Sequence, residues 1–436
     1  MPSRERRDQI VDALRRGTVP EAGLEAFAVG LEPLEPALDE ELARVKAGHG
    51  VFKAVRGEYG CGKTFFARWF QEKAKRLGFA AAEVQISETE TPLHRLETVY
   101  RRLVERLSTS DSPSGAFRTV LNSWFYALEQ DVISEGDVSE SDAEALMTRT
   151  SDLMERRLSA VTRQTPTFAA VLRAYRTALA GQNRPVADGL VAWLSGDPNV
   201  AAAVKRTAGV KGEIDHFAAL SFLQGLLIVL RDSGYAGLVL VLDEVETLQR
   251  VRGDVRDKGL NALRQIIDEI DAGRFPGLYL LITGTAAFFE GPQGAQRLPP
   301  LAQRLHVDFA TDARFDNPRA VQIRLSGFTM DKLCLVGRRI RGIYSEHSPH
   351  AARLAKRADD AYIAALAEAV TGRLGGKVGV APRIFLKKLV AEVLDRIDQF
   401  PDFDPRQHYA LTLTDGELND TERHLVEVQS VDEIEL

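Results

Sequence analysis

Two short stretches of the chain are apolar without interruption: Leu238 to Leu242 in "GLVLVLDEVE" and the run from Leu278 in "GLYLLITGT". Apolar runs of this length predict strands covered on both faces, as in a parallel sheet. "FAAAEVQIS" and Val51 to Val55 predict two further strands, and "LHVDFA" a fifth. Elsewhere the apolar period is helical. In "KTFFARWFQEKAKRLG" the residues Phe66, Trp69, Phe70 and Leu77 fall on one face, and Gly78 supplies a left-handed stop. The basic piece "SRERRDQIVDALRRG" predicts a short helix, the Gly/Pro-punctuated "TVPEAGLEAFAVGLEPLEP" a wrapping arm, and "LDEELARVKAGHG" a helix ended by glycine. From about Pro92 to Gly234 the pattern stays helical, apart from the polar "ISEGDVSESDAEA", which predicts a loop.

After the fifth predicted strand come three more helical stretches, "TMDKLCLVGRRIRGIYSE", "ADDAYIAALAEAVTGRL" and "APRIFLKKLVAEVLDRI". The expected fold is therefore α/β: a parallel-sheet core with a long helical insertion and a C-terminal helical lid. Residues 1–45 are expected to form the N-terminal helix and arm, 46–320 the core with its insertion at about 92–234, 321–400 the lid, and 401–436 a tail ending in the acidic "VQSVDEIEL".

Composition narrows the function classes. The chain is 44% hydrophobic and 27% charged, as in an ordinary folded protein, and its formal net charge is -6. That balance excludes a whole-surface nucleic-acid binder, so any DNA contact must be regional. Cys61 and Cys334 give neither zinc spacing nor a disulfide framework, and "MPSRERRDQI" lacks an apolar signal core, which points to the cytoplasm. "FAALSFLQGLLIVL" is interrupted by Ser221 and Gln224 and is shorter than the roughly 20 residues of a membrane span. No membrane role is expected.

Gly57 to Thr64 reads G-x-x-x-x-G-K-T between a predicted strand and a predicted helix, the context of a phosphate-binding loop. Gly57, Gly60 and Gly62 permit the tight turn that aims backbone N–H groups at phosphate from the positive end of a helix. Lys63 would reach the β- and γ-phosphates of ATP, and the Thr64 hydroxyl would take a Mg²⁺ position. The nucleotide-contacting set is thus Gly57, Glu58, Tyr59, Gly60, Cys61, Gly62, Lys63, Thr64 and Phe65. Asp243 and Glu244 follow an apolar strand, where successive side chains point to opposite sides. Asp243 would face the hydrated metal while Glu244 polarises the attacking water as general base. Thr283 stands where a hydroxyl on the neighbouring strand could orient that water, with Thr285 the competing choice. Arg304 is the candidate for reaching a neighbouring subunit's γ-phosphate, with Arg297 its rival, and Arg383 for touching phosphates within its own chain. At the head of a helix beside Lys63, Cys61 should have a lowered thiol pKa, although nothing nearby makes it a nucleophile. Two basic clusters, Arg250, Arg252 and Arg256, then Arg338, Arg339 and Arg341, read either as phosphate-tracking faces or as charged helix faces paired with acids.

Together "GEYGCGKTFF", "VLDEVE", "LLITGT", "RLHVDF" and "GVAPR" resemble the P-loop NTPase plan of AAA+ ATPases, an αβ core plus helical lid. More closely, "IVDALRRGTVPEAGLEAFAVGLEP", "GEYGCGKTFFARW", "IRLSGFTMDKLCLVGRRIRGIY" and "DPRQHYALTLTDGEL" resemble the BrxD family of ATP-binding proteins of BREX bacteriophage exclusion systems, from about Ile10 to Leu418. The resemblance implies a cytoplasmic prokaryotic ATPase that acts with other defence proteins, a helicase among them, on DNA. It also implies self-association into rings or filaments with Arg304 completing the neighbour's site. A nucleotide-gated scaffold with negligible turnover is the alternative function, and a small-molecule kinase, for which no acceptor pocket is evident, the third.

Overall fold

A computed structural model describes residues 3–136, 142–374, 382–414 and 418. Part of the expected polar loop (137–141), the "GGKVGVA" segment (375–381) and almost all of the expected tail beyond residue 414, with its acidic end, lie outside the described residues. In chain order come α1 (Arg4–Arg16), α2 (Glu35–Lys46), β1 (Val51–Arg56), α3 (Lys63–Arg76) and β2 (Ala80–Gln85). The helical stretch holds α4 (Leu96–Arg106), α5 (Phe117–Ser134), α6 (Ala143–Arg157), α7 (Ser159–Gln164), α8 (Pro166–Ala180), α9 (Arg184–Leu194), α10 (Ala202–Thr207) and α11 (His216–Asp232). It is followed by β3 (Leu238–Asp243), α12 (Gly253–Asp271), β4 (Leu278–Gly284), α13 (Ala286–Glu290), α14 (Pro299–Leu305) and β5 (Gln322–Arg324). Then come α15 (Met330–Ser345), α16 (Ala351–Arg357), α17 (Asp360–Arg373), α18 (Pro382–Lys387), a π-helical segment (Lys388–Leu394), α19 (Asp395–Gln399) and α20 (Pro405–His408). The five strands stand in the order β2-β3-β4-β1-β5. Two compact units divide the chain: Met1–Ala37, Val55–Glu72 and Asp308–Leu436 form one, and Leu38–Ala54 with Lys73–Val307 the other.

In the second unit, β2 and β4 flank β3 in parallel register, with Leu238 opposite both Ala80 and Leu278. Every residue of β3 and β4 is buried, as uninterrupted apolar runs require. The sheet also buries a lysine. Lys53 of β1 has no exposed surface and sets its ammonium 2.5 Å from Glu41 of α2, whose other oxygen accepts the Tyr279 hydroxyl of β4 at 2.6 Å. Burial and the neighbouring carboxylate push the Tyr279 pKa well above its ordinary value. This pairing ties α2 to two strands. The helices after β2 have an aromatic centre of their own, where the Phe222 ring of α11 meets Tyr100, Phe168 and Trp193 at centroid distances of 5.9, 5.0 and 5.7 Å. Gly225, one turn further along α11, leaves room for the Phe168 ring, into which any Cβ would run.

The first unit is built around the arm. Arg15 of α1 grips Asp395 with two nitrogens, at 2.6 and 2.9 Å, while the Tyr344 hydroxyl of α15 donates to the same carboxylate at 2.7 Å. The residues after α1 then lie along α3: Glu72 accepts the N–H groups of Gly23 and Leu24, each at 2.9 Å, and Arg68 donates to the Val19 carbonyl at 2.7 Å. On the other side Arg339 of α15 donates to the Ala28 carbonyl.

Two local differences from expectation have physical causes. "LHVDFA" forms no strand. Leu305 closes α14, and the Asp308 carboxylate turns the chain by accepting the N–H of Ala310 at 2.8 Å. The Phe309 ring instead lies beneath the guanidinium groups of Arg56 and Arg324, at 4.7 and 5.1 Å. The fifth strand is Gln322–Arg324, beyond which Leu325 donates to the Arg56 carbonyl at 2.9 Å. In the final expected helix, seven residues adopt π geometry, a rare form whose wider turns run up to the buried Asp395.

Truncation of Phe222 to Ala should remove the ring on which three aromatic neighbours converge. We expect a loss of about 3–5 kcal/mol, read from the shift of the denaturant unfolding curve; a change below about 1 kcal/mol would show that this centre does not hold the helices together.

Candidate functional site

The residues of the G-x-x-x-x-G-K-T motif join β1 to α3 in the first unit. Gly60 and Gly62 have φ of +79° and +96°, the left-handed region that side chains disfavour, and Phe66 N–H donates to the Gly62 carbonyl at 2.8 Å to start the helix. Gly57 is needed for a different reason: a Cβ there would strike the Cys61 sulfur and sit 3.5 Å from the Leu325 Cβ. The Lys63 ammonium lies back across the loop, donating to the carbonyls of Gly57 (2.9 Å) and Glu58 (3.3 Å), 5.1 Å from the Tyr59 ring centroid. These two carbonyls are neutral acceptors, and a phosphate oxygen makes a stronger charge-assisted bond to an ammonium than they do. A left-handed loop, the start of a 14-residue helix and one ammonium are a donor set that fits a phosphate chain. The Phe65 ring packs edge-on against Phe27 at 5.2 Å.

Cys61 departs from the sequence reading. Burial is the leading influence and raises the thiol pKa; the Lys63 charge acts in the opposite sense but is the smaller effect. Only 6% of the residue is exposed.

The acidic pair lies in the second unit, where β3 ends. Asp243 is 3% exposed and accepts the Thr283 hydroxyl of β4; the same oxygen of Thr283 accepts the Glu244 N–H at 3.2 Å. One side chain thus fixes both acids. Glu244 is held at φ +62°, ψ +43°, a left-handed conformation unusual for a residue with a side chain. Such strain costs on the order of 1–3 kcal/mol and persists only where the surroundings enforce it. The Glu244 carboxylate accepts the Gln85 amide at 3.0 Å. Gln85 ends β2 directly opposite Asp243 and did not emerge from the sequence motifs; a polar residue closing an otherwise apolar strand was its available signal. Thr283 has no exposed surface, and its hydroxyl is engaged twice, with Asp243 and with the Glu244 N–H. Thr285 caps α13 by accepting the Phe288 N–H.

The arginines divide similarly. In the second unit, Arg304 pairs with Asp268 at 2.5 Å and donates to the Pro300 carbonyl at 2.9 Å. Arg297 pairs with Asp257 and holds that carboxylate's pKa below its ordinary value. Arg383 lies in the first unit with the loop, its guanidinium near Gly17, 3.5 Å from where a Cβ would stand. Of the basic clusters, Arg256 donates to the carbonyls of Leu248, Gln249 and Val251, Arg339 to Ala28, and Arg338 and Arg341 pair with Asp360 at 3.5 and 2.8 Å. Arg338 and Arg341 thus pair with an acid, whereas Arg256 and Arg339 are held by backbone carbonyls. Arg252 is 85% exposed and lies 3.9 Å from Asp254.

Replacement of Thr283 by Val would leave the buried Asp243 oxygen and the Glu244 N–H without this partner, at a cost of about 1–3 kcal/mol in unfolding free energy; an unchanged stability would mean that the hydroxyl bridge is dispensable. Iodoacetamide at pH 8 should label Cys61 in a Cys334→Ser background far more slowly in the native protein than in denatured protein, as followed by mass spectrometry. Equal rates would contradict the burial of the thiol.

No curated protein matches the sequence. Among the described residues no helix is long and apolar enough to cross a membrane. A family model described as "BREX system ATP-binding protein BrxC/D" matches residues 3–413, which bears out the resemblance, gives ATP as the ligand and agrees with the observed α/β sheet of P-loop NTPase type. The chain belongs to the BrxC/BrxD family of BREX system ATP-binding proteins.

Proposed function

We propose that the protein is a Mg²⁺-dependent AAA+ ATPase that uses ATP hydrolysis to remodel or load a BREX defence complex on DNA. The observation that carries this reading is the strained Glu244, whose N–H is fixed by the hydroxyl that also holds Asp243. Strain kept at a carboxylate beside a second, buried carboxylate is the kind of arrangement that catalysis maintains. In this reading the amides of Gly57 to Phe65 and the Lys63 ammonium bind the phosphates, with Arg383 as a further phosphate contact. Thr64 and Asp243 are the residues that would hold Mg²⁺, which supplies charge neutralisation on the phosphate oxygens when bound. Glu244 accepts the proton of the attacking water, for which the Gln85 hydrogen bond must be released. Arg304 acts on a neighbouring subunit's nucleotide after leaving Asp268. Other defence proteins, a helicase among them, DNA contacted over a limited surface, and further copies of the chain are the proposed partners, in the cytoplasm.

The Gln85 contact also supports a second reading, a nucleotide-gated scaffold in which Glu244 stays engaged and turnover is negligible. Glu244→Gln separates the two. Expected are retained ATP binding, phosphate release lowered by about a hundredfold or more, and lost phage protection. Unchanged phosphate release would remove Glu244 as the base, and protection that persists without turnover would favour the scaffold.

A further inference from the structure

A cavity of about 520 Å³ in the second unit has no part in the proposed reaction. Its volume is within the usual range of ligand sites, roughly 300–1,000 Å³. It opens where the chain enters β2, β3 and β4, whereas Asp243 and Glu244 stand at the exit of β3. The six residues of β3 separate the two places by about 20 Å.

Two cations line this cavity, Lys46 at the end of α2 and Arg231 at the end of α11. The Arg231 side chain runs across Gly277, where a Cβ would come within 2.7 Å of its Cδ. Its head lies over Gly48, where a Cβ would stand 3.1 and 3.3 Å from the two terminal nitrogens. Glycines on two separate turns therefore clear the track that places the guanidinium. Among the described residues no carboxylate pairs with it or with Lys46. The one acid in the lining, Asp232, already accepts from Trp124 Nε1 at 3.3 Å and pairs with Arg157 at 3.2 Å.

Helix C-termini favour cations by about 0.3–1 kcal/mol, which accounts for basic residues at positions 46 and 231. It does not account for the path of Arg231, whose head is carried away from its own helix to the turn after α2. Nor are these helix ends open: Gly48 N–H donates to the Val45 carbonyl at 2.9 Å, and Gly234 N–H to the Arg231 carbonyl at 3.0 Å. Two uncompensated cations in one concavity repel each other, and an anion removes that cost. Leu77, 49% exposed, with Ile228 and the Tyr235 ring, offers apolar surface beside the charges.

We propose that this cavity binds a small phosphate ester carrying an apolar or aromatic body. A fork-shaped guanidinium and a point-charge ammonium are the pair that recognises phosphate oxygens, and the apolar lining takes the rest of the ligand. The site is separate from the loop of Gly57 to Thr64 and does not depend on the function proposed above.

Calorimetric titration of the full chain with AMP and with inorganic phosphate tests the proposal. AMP should bind the wild type and the Lys63→Ala variant alike and more tightly than phosphate alone. Its affinity should fall by about tenfold or more in Arg231→Met and again in Lys46→Met, each of which keeps an unbranched stem so that packing is retained. Absence of AMP binding to the wild type, loss of binding in Lys63→Ala only, or full binding in Arg231→Met would each overturn the assignment. A single-stranded DNA 20-mer forms the last arm: if its binding depends on Arg231 while AMP does not bind, the cations belong to a nucleic-acid surface and the small-ligand assignment fails.

Discussion

The hydroxyl of Thr283 is the point on which the acidic end of the sheet depends. A carboxylate 3% exposed is tolerated only with a partner, and a backbone N–H in a left-handed turn needs an acceptor that the regular ladder cannot supply. Thr283 meets both demands because a hydroxyl donates once and still accepts. Its place on β4 fixes it in register with β3, so the spacing of the two acids is inherited from the parallel ladder and not from a loop. The same ladder brings Gln85 to Glu244 from the other side of β3. Three adjacent strands thus set one carboxylate pair.

A comparable economy of charge runs through the interior. Lys53, Glu41 and Tyr279 form a buried set in which each member satisfies another, and Asp395 takes both Arg15 and Tyr344. Such groups add little net stability compared with apolar packing, but removal of one member strands the others, so they specify which helix docks where. Arg231 and Lys46 stand out against this background because, among the described residues, no acid pairs with them.

What the sequence made legible follows from how local each signal is. β3 and β4 were readable because their apolar runs are buried on both faces, and β1 and β2 because short apolar stretches precede the glycine loop and follow the Gly78 stop. Gln322–Arg324 was not, since three residues with polar ends carry no period, and "LHVDFA" offered a better apparent one until Asp308 turned the chain. The glycine loop was legible because φ above zero restricts residue type directly. Gln85 was hidden, as its role arises from register across two strands far apart in the chain. Cys61 was misread for a related reason: its neighbour Lys63 is visible in the sequence, whereas the burial that outweighs it is not. The π-helical turns at Lys388–Leu394 have no pattern distinct from an ordinary amphipathic helix.

The unit that carries the glycine loop is assembled from three separated pieces of chain, with the other unit's long segment, Lys73–Val307, nested between two of them. During synthesis Glu72 can receive Gly23 and Leu24 early, but Arg15 must wait for Asp395, hundreds of residues later. At synthesis rates of roughly 5–20 residues per second that delay is on the order of tens of seconds. The segment Lys73–Val307, which carries Asp243 and Glu244, is therefore synthesised while Arg15 of the first helix still lacks Asp395.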